Sequence, residues 1–202
     1  MTLWAGLMPL VGYALGSLPW AVWVTRAVRG EDIRAFGSGH AGTTNVFRRL
    51  GLGWALVVLV LDVGKGFAAV AWAQRLGLSP AMVGLTAAAV VAGHNWPLWA
   101  GFRGGMGNAP TLGALLAVSP LAALVATGWL VLWVLVWHHA ARGTVTAAVT
   151  GWALFWALGW RGAPLAVALA VGPVLAVRFW RDWHRRYREL WLDRPPNDEK
   201  RG

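Results

Sequence analysis

The chain contains no cysteine. Disulfides, thiolate nucleophiles and thiolate-held metals are therefore excluded. Acidic side chains are scarce as well: eight Asp and Glu stand against eighteen Lys and Arg in 202 residues. Charges of both signs make up 13% of the chain, about half the share in an ordinary soluble domain. Of the five histidines, His138 and His139 are adjacent, and on a helix they point about 100° apart. That spacing does not suit a shared metal. With few carboxylates and no thiols there is no metal-binding set, and neither a metal nor a cofactor is expected.

The residues that are present are mostly apolar. Hydrophobic residues reach 57% and tryptophan alone sixteen positions, and the mean hydropathy is +0.53. Indole favours the membrane–water interface, so the composition predicts an all-α integral membrane protein. Apolar runs of roughly 20 residues predict helices over residues 3–24, 50–73 and 80–100. The run over 111–137 is too long for one crossing, and "AVSPLA" at 117–122 breaks it into a short helix and a full one. Runs over 144–158 and 164–179 complete about seven transmembrane helices. Residues 1–180 form the membrane unit, and 181–202 a basic tail.

The net charge of +10 would suggest nucleic acid in a soluble chain. Here the positive-inside rule and anionic lipid explain it, and no nucleic acid is expected. With the N-terminus outside, alternate loops and the C-terminus face the cytosol. Those inner stretches hold Arg26, Arg29, Arg34, Arg48, Arg49, Arg103, Arg142 and eight cations from Arg178 to Arg201, fifteen in all. The outer loops hold only Arg75 and Arg161, and Lys65 lies within a span. Nothing in the sequence specifies an oligomer.

The unusual polar residues collect in the same inner loops. "GSGHAGTTN" carries Ser38, His40, Thr43, Thr44 and Asn45, with Arg48 just beyond. It reads either as a surface loop or as a set of donors around an anion, where glycine frees backbone N–H groups and Arg48 clamps a phosphate. "FRGGMG" sets Gly104, Gly105 and Gly107 around Met106, beside Arg103 and before a helix start. It reads equally as a phosphate cradle or as close helix packing. It is not a Walker motif, because no G-K-[ST] follows. In "LDVGKG", Asp62 and Lys65 share a helix face three residues apart, either as a structural ion pair or with Lys65 reaching an anion. "WRDWHRRYREL", which holds His184, reads as an amphipathic segment on the inner leaflet.

Taken in order, "GSLPW", "GSGHAGTTNVFRRLG", "DVGKG" and "GHNWPLWAGFRGGMG" resemble the bacterial acyl-phosphate:glycerol-3-phosphate acyltransferases, the PlsY family. The resemblance covers nearly the whole chain. It implies seven helices in the bacterial cytoplasmic membrane, with the motifs on the cytosolic side. It also implies transfer of a fatty acyl group from acyl-phosphate to the 1-hydroxyl of glycerol 3-phosphate, giving lysophosphatidic acid and phosphate. Partners are then these two substrates and membrane lipid. By position, Ser38, Thr44, Asn45, Arg48 and His184 would be catalytic. Lys65, Arg103, Gly104, Gly105, Gly107 and Arg142 would bind substrate phosphate, with Asp62 and His94 in support.

The chain also departs from the family pattern. Met106 stands where the family has a lysine, Pro110 and Val145 where it has hydroxyl residues, and His40 and Tyr187 where it has asparagines. Two alternatives follow: a non-catalytic paralogue that binds lipid or a partner membrane protein, or an anion or lipid transporter.

Overall fold

The computed structural model describes residues 3–189 and 192–193, with side chains described over 6–186. Each of the seven apolar runs carries helix. The first is broken in two, α1 (Leu3–Gly16) and α2 (Trp20–Arg29), at Ser17–Leu18–Pro19, because Pro19 has no N–H to continue the ladder. A single span was expected there. A short amphipathic helix follows, α3 (Thr43–Leu50), from residues whose sequence reads as loop. Then come α4 (Leu52–Arg75), α5 (Pro80–Asn95), α6 (Asn108–Val118), α7 (Pro120–Trp137), α8 (Ala140–Ala157) and α9 (Ala163–Trp180).

The expected break falls at Ser119, whose Oγ accepts from Ala122 N at 3.2 Å, with Pro120 opening α7 where its missing N–H does no harm. After α9, a turn over 181–184 leads to a two-stranded hairpin, Tyr187–Glu189 with Leu192–Asp193. The side chain of Tyr187 and the tail cations from Arg188 to Arg201 lie outside the residues whose side chains are described.

Among the described residues, four helical paths are long and apolar enough to cross a membrane: Gly6–Arg29, Leu52–Arg75, Pro120–Trp137 and Ala163–Trp180. Large apolar side chains face outward along the bundle, among them Leu10 at 67%, Val60 at 68% and Leu124 at 70% exposure. Such a surface suits hydrocarbon, not water. The core runs through α1, α4, α5, α6, α8 and α9, with Val70, Val90, Val91, Ala114 and Val167 fully buried. A second, smaller cluster of Val22, Ile33, Val46 and Val58 fills the space under the first loop.

Helix contact in this bundle relies on missing side chains. A Cβ on Gly66 of α4 would run into the Pro110 carbonyl, and one on Gly113 of α6 into that of Val63. These two glycines let α4 and α6 touch backbone to backbone. Gly64, two residues from Gly66, has nothing within 4 Å of its Cβ position. Gly66→Ala is therefore expected to lower the melting temperature of purified protein, with a cost of about 1–3 kcal/mol from overpacking. Gly64→Ala should leave it unchanged or raise it, since Ala is the better helix former. Equal effects at the two positions would contradict this packing.

Candidate functional site

The first loop is held from below by charge. Asp32 accepts from Arg34 N at 3.0 Å, from Arg34 Nε at 2.9 Å and from Arg34 Nη2 at 2.7 Å, and from Arg26 at 3.1 Å. The hydrogen bond from Arg34 keeps the Asp32 carboxyl far below the usual carboxylate range. Arg34 Nη1 also reaches the carbonyls of Ala100 at 2.6 Å and Arg103 at 3.2 Å, which ties the first loop to the second. Glu31 pairs with Arg49 at 2.6 Å.

Asn45 fixes the loop from within. Its amide nitrogen faces the carbonyls of Ile33 at 3.0 Å, Phe36 at 2.9 Å and His40 at 3.1 Å. Its Oδ1 lies where a Cβ on Gly37 would stand, and Gly37 has φ +51°. Only glycine suits both the conformation and the contact.

The glycine-rich second loop is packed tightly. Gly104 N donates to Asn95 O at 3.2 Å and Gly105 N to His94 O at 3.0 Å. A Cβ on either would strike the His94 region, and one on Gly107, at φ +95°, would lie 2.8 Å from Asn95 Oδ1. The amides of Gly104 and Gly105 are thus used inside the protein, and of the three glycines it is Gly107 that lines the cleft. Ala41 N donates to Gly104 O at 3.2 Å, joining the two loops through their backbones.

Beneath both lies a buried polar group. Asp62 of α4 pairs with Lys65 at 2.8 Å and with His94 of α5 at 3.3 Å. Lys65 Nζ donates to Leu18 O at 3.0 Å, at the break between α1 and α2.

These elements surround a cleft of about 490 Å³. Ser38, Thr44, Asn45, Arg48, Asp62, His94 and Gly107, all expected at the site, line it together with His40 and Met106. Lys65 is buried behind Asp62. Arg103 is exposed and is not among the lining residues. Arg142 donates to Trp183 O at 3.2 Å and stacks over that ring. His184 is exposed, and it too stands off the cleft.

Three further residues come from the end of α9 and the turn after it. Arg178, 7% exposed, donates to Gly105 O at 2.8 Å and Gly104 O at 3.1 Å, and its Nη2 lies 3.4 Å from His40 Nδ1. Asp182 and Arg185 both line the cleft. Asp182 Oδ2 is 2.8 Å from His40 Nε2, and Arg185 Nη2 donates to Ser38 O at 3.0 Å. Burial opposes the Asp182 charge, but the His40 hydrogen bond and then the nearby Arg185 outweigh it and hold the carboxyl below its ordinary value. The signals were a guanidinium near the end of an apolar run for Arg178, a lone acid among basic residues for Asp182, and for Arg185 its place directly after His184, where the resembling family has H-R-x-N.

The cleft adjoins an apolar pocket of about 110 Å³ between α6, α7, α8 and α9, lined by residues such as Leu115, Leu154, Phe155 and Val171. Asn108, Leu112, Thr127, Leu130 and Thr144 line both spaces. The arrangement offers a polar mouth with guanidinium and hydroxyl donors, and beside it a slot suited to hydrocarbon.

Comparison with known proteins gives a consistent outcome. The profile of the family described as glycerol-3-phosphate acyltransferase matches residues 6–189. Glycerol-3-phosphate acyltransferase 1 of Dehalococcoides mccartyi is 46% identical over 116 residues, 57% of this chain and 56% of its own length. Glycerol-3-phosphate acyltransferase 1 of Deinococcus radiodurans is 45% identical over 124 residues, 61% of this chain and 62% of its own. The aligned stretches thus span somewhat more than half the length of these relatives. Among solved structures, the glycerol 3-phosphate form of PlsY (YgiH), an integral membrane glycerol 3-phosphate acyltransferase, superposes with a TM-score of 0.77 at 31% identity, covering 90% of both chains. The lysophosphatidic acid form of PlsY gives a TM-score of 0.73 at 29% identity, with the same coverage.

Proposed function

The chain belongs to the glycerol-3-phosphate acyltransferase family, and from that premise we propose that it transfers a fatty acyl group from acyl-phosphate to the 1-hydroxyl of glycerol 3-phosphate. The observation that carries this reading is the shared wall between the polar cleft and the apolar pocket. An acyl phosphate has one end for each. Its tail lies against Leu130, Leu154 and Phe155, and its phosphate and carbonyl lie among the donors at the mouth.

The acceptor oxygen attacks the acyl carbonyl, an O–C bond forms, and negative charge gathers on the carbonyl oxygen. The bond to the phosphate oxygen then breaks, and the hydroxyl proton leaves with inorganic phosphate. Donors fixed where that charge develops lower the barrier. Ser38, Thr44 and Arg48 are the proposed donors at the reacting groups. Asn45 keeps the loop in shape, and Gly107 brings the second loop to the cleft wall. His184, Arg103 and Arg142 have a weaker claim, because their side chains do not line the cleft.

Replacing a charge-assisted phosphate contact or a positioned donor typically removes about 1.5–3 kcal/mol in a desolvated site. Arg48→Ala and Ser38→Ala should each lower kcat/KM for acyl transfer at least tenfold, with melting temperature retained. Lys at position 48 should rescue poorly, since it lacks the bidentate fork. Near-normal kcat/KM in both Ala variants would remove the first loop from the reaction.

The same reading sets seven helices across the bacterial cytoplasmic membrane, N-terminus outside and cleft toward the cytosol. The arginine distribution supports it. Single cysteines at Ala35 and Leu76, both exposed, have no background in this cysteine-free chain. A membrane-impermeant thiol reagent applied to intact cells is expected to label residue 76 and spare residue 35. The reverse pattern would overturn the topology.

A further inference from the structure

Asp182 carries the wrong sign of charge for its position. It lines a cleft that has to admit phosphate, and its side chain is 13% exposed. Its Oδ2 meets two donors, His40 Nε2 at 2.8 Å and Arg185 Nη1 at 3.2 Å. An ionised carboxylate can only accept, so Asp182 at 2.8 Å draws a hydrogen onto His40 Nε2, although Arg185 Nη1 also stands 3.1 Å from that nitrogen. Arg178 Nη2 faces Nδ1 at 3.4 Å. With Arg178 on one ring nitrogen and Asp182 on the other, neither is open to a substrate hydroxyl. Toward Asp182, His40 is the donor.

A group that accepts from an imidazole N–H and a guanidinium N–H can be a carboxylate or a phosphate, because both are anions with oxygen acceptors at the same range of distances. Both donors have anchors besides Asp182. Arg185 is pinned through Nη2 to Ser38 O at 3.0 Å, and its carbonyl lies 2.8 Å from His139 Nε2. The turn is held again where Arg142 donates to Trp183 O at 3.2 Å. His40 is held by the Asn45 amide on its carbonyl at 3.1 Å. If Asp182 rotates away, both N–H groups still face the cleft. Met106 lines the same cleft at the position where the resembling family has a lysine, and its thioether brings no charge. A cation from another element is then needed.

We propose that His40 and Arg185 form a subsite for a substrate phosphate, and that the Asp182 carboxylate occupies this subsite in the free protein as a built-in competitor. Phosphate binding then requires Asp182 to turn out, so the free protein binds its substrate less tightly than the donors alone would allow. The assignment of that phosphate to a substrate rests on the acyl-transfer reading.

The test is calorimetric titration of detergent-purified protein with inorganic phosphate, alongside the KM of each substrate. Asp182→Asn is expected to lower the Kd for phosphate at least threefold, and Arg185→Gln to raise it at least fivefold. Whichever KM falls in Asp182→Asn identifies the substrate whose phosphate the subsite holds. Unchanged or weaker phosphate binding in folded Asp182→Asn overturns the proposal, as does unchanged binding in Arg185→Gln. Arg185→Gln decides alone if Asp182→Asn does not fold. The two expected shifts in Kd, found in a protein with no acyl transfer at all, would sink the acyl-transfer reading and leave the subsite standing.

Discussion

A carboxylate at 1% exposure inside an apolar bundle has to be neutralised where it stands, because an unpaired buried charge costs several kcal/mol. Asp62 meets that demand with Lys65 and His94, and both partners then act as brackets. Lys65 reaches across to the Leu18 carbonyl, fixing the broken first span against α4. The His94 backbone carbonyl takes the amide of Gly105, so α5 positions the second loop. The Gly105 carbonyl in turn accepts from Arg178 of α9, which faces His40 of the first loop. The pairing of one buried acid is thus passed, bond by bond, to both loops and to the end of α9.

Polar residues that look alike in the sequence divide into two groups in the fold. Asp32, Arg34 and the Asn45 amide are taken up by contacts with neighbouring backbone or charge. Ser38, Thr43, Thr44 and Arg48 face the cleft. The holders keep the loop in one shape, so the facing donors are set before substrate arrives. That is the condition under which fixed dipoles lower a barrier.

The helices were legible because a bilayer leaves a strong trace: long apolar runs, a serine–proline break at 119–120, and arginines gathered between the runs. The break at Ser17–Leu18–Pro19 was not, since a run of 22 residues is already the length of one crossing and gives no reason to split it. Nor was α3, since it is short and opens within a glycine-rich loop. At the site, Ser38, Arg48, Asp62 and His94 come together as the motifs suggested. Arg103 lies beside the glycines in sequence but does not line the cleft. The cation that bonds their carbonyls is Arg178, 73 residues beyond Gly105 in the chain. Asp182 and Arg185 were hidden for the same reason, as tertiary neighbours in a segment that reads as a basic surface. Sequence distance carries no information about contacts that a chain reversal makes.

The account stands or falls on whether a polar mouth without a lysine at residue 106 still supports acyl transfer. The most direct measurement is phosphate release from palmitoyl phosphate by the purified protein, with and without glycerol 3-phosphate. Release that depends on glycerol 3-phosphate, with lysophosphatidic acid formed in equal amount, is the predicted result. Tight binding of palmitoyl phosphate with no acceptor-dependent release would contradict it, and would point to a lipid-binding member of the family.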